Sequence, residues 1–185
     1  MSNQPVDNEF YIQIIDLLQS AKKTVIRTVN SAMVQVYFEI GKMIVEEEQE
    51  GDSRAKYGES LLKGLSKALT KEFGKGFSQR NVEQMRKFYL TYSKTQTLPA
   101  DFNLSWSHYL TLMRIDDINE RSFYEIESAK NNWSVRELQR QYDSALYTRL
   151  ALSRDKDKLK ELSEKGLILQ EPKDAIKVCP SRHVS

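Results

Sequence analysis

Apolar side chains recur every three or four residues along most of the chain, which is the period of an α-helix. The first such run extends from about Asn8 to Glu48, and no proline interrupts it after Pro5. Its apolar stripe consists of Phe10, Ile14, Leu17, Ala21, Val25, Val29, Ala32, Val36, Ile40 and Met43. The pattern predicts one long N-terminal helix, with a bend at Gly41 and a break near residues 22–24 as further expectations.

A helix this long with so broad a stripe needs more partner surface than a small domain offers. Two arrangements satisfy that need. The helix folds back on its own domain, or it pairs with a second copy of the chain. We therefore treat residues 1–51 as a separate unit that could act as a dimerisation element.

The second and third predicted helices flank a short turn that contains glycine. The second helix covers about Glu59–Phe73, and the turn after it holds Gly74 and Gly76. Ser78 then has the chemistry of a helix N-cap, so a third helix should cover about residues 79–92. A helix, a short turn with glycine and a second helix form the pattern of a helix-turn-helix unit.

The third helix has two different faces. Its predicted buried side carries Val82, Met85, Tyr89 and Tyr92. Arg80, Gln84 and Lys87 lie on the opposite side. Arg80 and Gln84 are early in the helix, where recognition helices meet base edges. Arg pairs bidentately with guanine and Gln with adenine.

Charge is concentrated on the same segment. The whole chain has a formal net charge of +2, yet residues 52–95 hold ten basic and four acidic side chains. A local basic excess is what a polyanionic partner requires. The residues predicted to contact DNA are Lys71, Lys75, Ser78, Gln79, Arg80, Gln84, Arg86 and Lys87.

The C-terminal half predicts three more helices and a tail. They cover about residues 106–114, 118–131 and 135–152, and the last one opens on a capping box made by Ser134 and Glu137. Beyond residue 152 the periodicity thins. The expected architecture is all-α, with a long N-terminal helix, a helix-turn-helix-type bundle over residues 52–152, and a linker-like or partly disordered tail over 153–185.

Composition excludes several function classes. The chain has one cysteine, Cys179, and two histidines, His108 and His183, which argues against a disulfide framework, a metal centre or a Ser-His-Asp enzyme. We expect His108 to be a surface or capping residue. No cofactor-binding motif is present. The N-terminus lacks the pattern of a secretory signal, and no apolar run is long enough for a membrane span, so we expect a cytoplasmic protein without membrane contact.

Three stretches carry a family resemblance: VNSAMVQVYFEIGKMIVEEE, RAKYGESLLKGLSKALTKEFGKGFSQRNVEQMRKFY and LSWSHYLTLMRIDDINERSFYEIESAKNNWSVRELQRQ. Over about residues 8–152 they resemble the N-terminal domain of the bacterial YhcG family, domain of unknown function 1016. The resemblance implies a helix-turn-helix-like domain that binds DNA and is usually joined to a C-terminal nuclease domain of the PD-(D/E)XK type.

The nuclease domain itself is expected to be absent from this chain. Glu171, Pro172 and Lys173 match the E-x-K half of its motif, but no strand precedes them and no partner aspartate is evident. We therefore predict a non-catalytic, dimeric module that binds double-stranded DNA. The alternative is a protein–protein interaction module that recruits or regulates a nuclease or restriction-type partner.

Overall fold

The computed structural model of the protein describes residues 8–50, 55–93, 102–152 and 165–166. Within these ranges all regular elements are helical, which confirms the all-α fold class. The helices are α1 (Asn8–Glu50), α2 (Ala55–Phe73), α3 (Gln79–Tyr92), α4 (Trp106–Leu112), α5 (Ile118–Asn131), α6 (Val135–Asp143) and α7 (Leu146–Ala151), with a 3-10 turn at Lys75–Phe77. The predicted tail lies outside the described residues except for 165–166.

The first helix is continuous for 43 residues, so the expected break near residues 22–24 is wrong. Only the C-terminal part of α1 enters the core. Val34 and Phe38 are buried there, whereas every described side chain from residue 9 to residue 29 is exposed. The C-terminal part of α1 therefore packs in the core, whereas its N-terminal part packs against no other described helix.

Aromatic side chains fill the main core. Phe38 of α1 meets Phe88 of α3 with ring centroids 5.7 Å apart, and Phe88 meets Phe102 at 5.1 Å and Tyr109 of α4 at 5.1 Å. Phe88 is fully buried, although the predicted buried face of α3 did not include it. This cluster fixes α3 between the long helix and the C-terminal helices.

Helix starts follow local capping chemistry. The Asp117 carboxylate accepts a hydrogen bond from the Glu120 backbone N–H at 2.7 Å, and Ser134 Oγ accepts one from Glu137 at 3.2 Å. The sixth predicted helix, however, is two helices. Ala145 adopts a left-handed conformation, with φ of 51°, and separates α6 from α7.

The carboxyl group of Glu125, a partly buried residue, is turned toward the aromatic core. Glu125 accepts a hydrogen bond from the Tyr109 hydroxyl at 3.1 Å. Burial raises the pKa of Glu125 to about 7, although its hydrogen bonds to Tyr109 and Tyr92 act in the opposite direction. Near neutral pH this core therefore holds a side chain that is partly protonated.

Candidate nucleic-acid interface

The turn between α2 and α3 is held by side chains of α2. The Phe77 carbonyl oxygen accepts hydrogen bonds from Ser66 Oγ at 2.9 Å and from Thr70 Oγ1 at 3.1 Å. Gly74 has a φ of 88°, a left-handed conformation that glycine adopts without steric penalty. These contacts fix the direction in which α3 leaves α2.

The first turn of α3 is anchored twice. Ser78 Oγ accepts a hydrogen bond from the Asn81 backbone N–H at 3.4 Å, as expected of an N-cap. The Asn81 side chain donates to the Gly76 carbonyl and accepts from Trp106 Nε1 at 2.9 Å. Asn81 thereby ties α3 to the turn and to α4, a role that only the tertiary contact with Trp106 reveals.

The long helix supports α3 from the other side. The two backbones approach closely at Gly41, where an added Cβ would lie 2.1 Å from the Met85 carbonyl oxygen. From the sequence, Gly41 was expected to bend α1. In the structure, Gly41 allows the backbones of α1 and α3 to approach closely. Arg86 Nε donates to Glu48 Oε2 at 2.6 Å, so this predicted DNA contact also holds α3 against α1.

Three predicted residues share the outward face of α3. Arg80 and Lys87 are exposed, and Gln84 is half-buried between them. Gln79 donates a hydrogen bond to Glu83 at 3.0 Å on the same helix. The outward face of α3, defined here by Arg80, Gln84 and Lys87, therefore presents two cations and one amide on a helix with a fixed position.

Lysines extend the basic surface along α2. Lys71 and Lys75 are exposed at its end and in the following turn. Lys63 and Lys67 are exposed as well, and with Lys71 they form a row at four-residue spacing along one side of the helix. The prediction from sequence missed Lys63 and Lys67, although this spacing was the available signal.

A cleft of about 1480 Å³ lies between the middle of α1 and the C-terminal helices. Lys23 and Arg27 line it from α1, and Lys130 lines it from α5. No carboxylate is found among the described residues that line the cleft. It is a second basic surface on the molecule, but Lys130 already donates a hydrogen bond to the Lys165 carbonyl.

His108 is a structural residue. Its Nδ1 lies 2.7 Å from Ser105 Oγ and its Nε2 lies 2.9 Å from the Trp133 carbonyl oxygen. Burial lowers the pKa of His108, and the hydrogen bond to Trp133 opposes that shift. Ser105 bonds this ring rather than capping α4 with its side chain, so the pair joins α4 to the start of α6.

The described residues contain no group of three or more His, Cys, Asp or Glu side chains placed to hold a metal ion. In the same part of the chain, no helix has the length and apolar character needed to cross a bilayer. The E-x-K match at residues 171–173 lies outside the described residues.

Comparison with known proteins shows which family the chain belongs to. The DUF1016 N-terminal domain matches residues 13–149. The chain belongs to the DUF1016 N-terminal domain family. It is also 39% identical over 173 residues to the Escherichia coli K12 protein named "Putative nuclease YhcG", and the match covers 77% of this chain. No solved structure matches the chain.

The same match covers 46% of the Escherichia coli relative, so this chain spans about half of that protein's length. The family match includes all seven described helices at least in part, since it runs from residue 13 in α1 to residue 149 in α7. The nuclease in the relative's name describes that protein, and its activity does not transfer with this match.

Proposed function

We propose that this DUF1016 N-terminal domain is a dimeric DNA-binding module that uses α2 and α3 as a helix-turn-helix unit. The observation that supports the proposal is the outward face of α3, where Arg80, Gln84 and Lys87 lie exposed or half-exposed on a helix anchored from three sides. Anchoring matters because base readout requires side chains whose positions are set before DNA arrives.

In this proposal the two parts of the surface have different tasks. Arg80 and Gln84 reach base edges from the first turns of α3, as in a recognition helix. Lys71, Lys75 and Lys87 neutralise phosphates and set the orientation on the duplex. Ser78 and Gln79 lie at the N-terminus of α3, where backbone N–H groups favour an anion such as a phosphate. The module is non-catalytic by itself.

Fluorescence anisotropy tests this function. A labelled random-sequence duplex is titrated with the protein at about 50 and 200 mM salt, the range in which phosphate-driven binding changes most. We expect binding that weakens by at least tenfold between these two concentrations. The Arg80→Ala/Lys87→Ala variant should lose most of the affinity at low salt, with unchanged helicity by circular dichroism.

A matched control separates position from charge. The Lys23→Ala/Arg114→Ala variant also removes two positive charges, but from exposed sites on α1 and after α4. Its affinity should change much less than that of the α3 variant. Equal losses in both variants would mean that net charge alone drives binding, and no binding at low salt by folded protein would contradict the proposed function.

The alternative function is a protein-interaction module that recruits or regulates a nuclease or restriction-type partner. The observation that favours it is the exposed apolar surface of α1, because exposed apolar patches mark interaction sites. In that case the Arg80/Lys87 variant would bind its partner normally, and neither protein would bind the duplex.

A further inference from the structure

The outer face of α1 is the largest apolar surface that the described helices leave open. The helix has 43 residues, which corresponds to a length of about 64 Å. Leu18, Val25 and Met43 expose 64%, 62% and 67% of their areas. Such side chains on a long helix call for a partner of matching length.

One subset of the exposed apolar residues of α1 follows a heptad repeat, whereas others, such as Ile12, Leu17 and Ile26, lie outside it. The eight residues of this subset recur at alternating steps that average 3.5 residues, the spacing of a coiled-coil seam. We call these residues, with the two charged residues that complete the repeat, the outer seam: Tyr11, Ile15, Leu18, Lys22, Val25, Val29, Ala32, Val36, Glu39 and Met43. All ten are exposed.

The outer seam lies on the side of α1 that faces away from α3. Val34, Gly41 and Val45 are buried toward the domain. At 100° per residue these positions are on roughly the opposite side of the helix from the seam. A partner helix can therefore pack on the seam without displacing α3.

The two charged positions select the direction of pairing. A parallel pair would place Lys22 beside Lys22 of the second copy and Glu39 beside Glu39, which are repulsive contacts. An antiparallel pair allows Lys22 of each copy to face Glu39 of the other. The same register then sets Leu18 against Met43 and Val25 against Val36.

The register also matches the extent of the helix. It is centred between residues 30 and 31, and the midpoint of Asn8–Glu50 is residue 29. Val29 and Ala32 meet at the centre, where small apolar residues permit close contact. In this register Ile15 would face Glu46, so the matched part of the seam extends from Leu18 to Met43.

We propose that α1 pairs with α1 of a second copy as an antiparallel two-stranded coiled coil, in the register that joins Lys22 to Glu39. This refines the dimer named in the proposed function, and it does not depend on DNA binding. Charged groups within a seam weaken it relative to an apolar seam but specify register. The two Gly41 residues, where α3 docks, would be offset along the axis by about 32 Å.

Charge exchange tests the pairing in the full chain. Sedimentation velocity should show a wild-type dimer at micromolar concentration. Lys22→Glu and Glu39→Lys should each weaken dimerisation by at least about tenfold, because each places like charges opposite one another. A mixture of the two variants should form a heterodimer, and the double exchange should restore the dimer. Lys23→Glu, one residue off the seam, is the matched control.

A distance measurement tests the direction. With Cys179 replaced by serine, a spin label at Gln19→Cys should report a separation of about 35 Å in the antiparallel register. A parallel coil, with helix axes about 10 Å apart, would give less than about 20 Å. A monomer at all concentrations, a dimer that the charge exchanges do not weaken, or the short distance would overturn the proposal.

Separate readouts distinguish this proposal from the proposed function. The Lys22→Glu variant keeps the outward face of α3, so salt-sensitive duplex binding should persist in it at reduced affinity. If the wild-type protein is a dimer that does not bind the duplex, the result counts against the DNA proposal alone. Duplex binding by a wild-type monomer would count against the coiled coil and against a dimeric module, but not against DNA binding by α3.

Discussion

The outer half of α1 and the third helix are both amphipathic, but they use their apolar faces in opposite ways. In α3 the apolar face is buried, with Val82, Met85 and Phe88 fully inaccessible, and the polar face is open. In residues 9–29 of α1 the apolar side chains are themselves exposed. An apolar stripe therefore predicts that a helix packs against another surface, but it does not say whether that surface lies in the same domain.

The comparison also separates two kinds of surface. The outward face of α3 is small, charged and rigidly supported, which suits a polyanion. The outer seam of α1 is long and largely apolar, which suits another helix. We expect the largest loss of stability where α1 and α3 meet, a pH-dependent change at Glu125, and the smallest effect at the ion pair between Arg86 and Glu48.

The close approach of α1 and α3 should be the most sensitive point. In Gly41→Ala the new Cβ would meet the Met85 carbonyl oxygen, so the two backbones must separate. We expect a loss of about 3 kcal/mol in the free energy of unfolding, measured by urea denaturation. Gly64→Ala is the control, since its Cβ would enter open space and should stabilise α2 by about 0.5–1 kcal/mol. Equal stability of the two variants would contradict the close approach.

The carboxyl group of Glu125 should make stability depend on pH. The pKa of Glu125 is about 7 in the folded chain, compared with an ordinary value of 4.5 for a glutamate. Because the folded state binds more protons between these values, the free energy of unfolding should fall as pH rises through this window, by up to about 3 kcal/mol.

Glu125→Gln isolates this contribution, since it retains an oxygen that can accept the Tyr109 hydrogen bond. The variant should gain stability relative to the wild type between pH 5 and pH 8 in urea denaturation. The lowered pKa of His108 acts with the opposite sign, but it is common to both proteins and cancels in the difference. A difference that does not change with pH would contradict the raised pKa.

The ion pair between α1 and α3 should have the smallest effect. Arg86 and Glu48 side chains are 38% and 17% exposed, so solvent screens their attraction. A double-mutant cycle with Arg86→Gln and Glu48→Gln should give a coupling energy of about 0.5–1 kcal/mol. A coupling near zero would assign no stabilising role to this pair and leave Arg86 available for DNA alone.

The helical pattern and the local caps could be predicted because their chemistry lies within a few residues. Ser78, Asp117 and Ser134 each cap the helix that the sequence indicated. The division of α6 from α7 was missed because Ala145 gives no signal of a left-handed conformation. No glycine or proline marks that point in the sequence.

Contacts between distant segments could not be predicted from periodicity. Gly41 was expected to bend α1, since nothing near it in sequence indicates the carbonyl of Met85. Asn81 was overlooked because its partner Trp106 follows 25 residues later. The residues on the outward face of α3 could be listed from helical geometry, but their role in binding stays a prediction.

An amide chemical-shift map is the most direct test of whether α3 and the turn before it contact DNA. Uniformly ¹⁵N-labelled protein is titrated with a random-sequence duplex of about 20 base pairs at low salt. We expect the largest shifts in the turn 74–78 and in the first two turns of α3, with small changes in α5. Shifts confined to the cleft that Lys23, Arg27 and Lys130 line, or the absence of shifts in folded protein, would contradict this expectation.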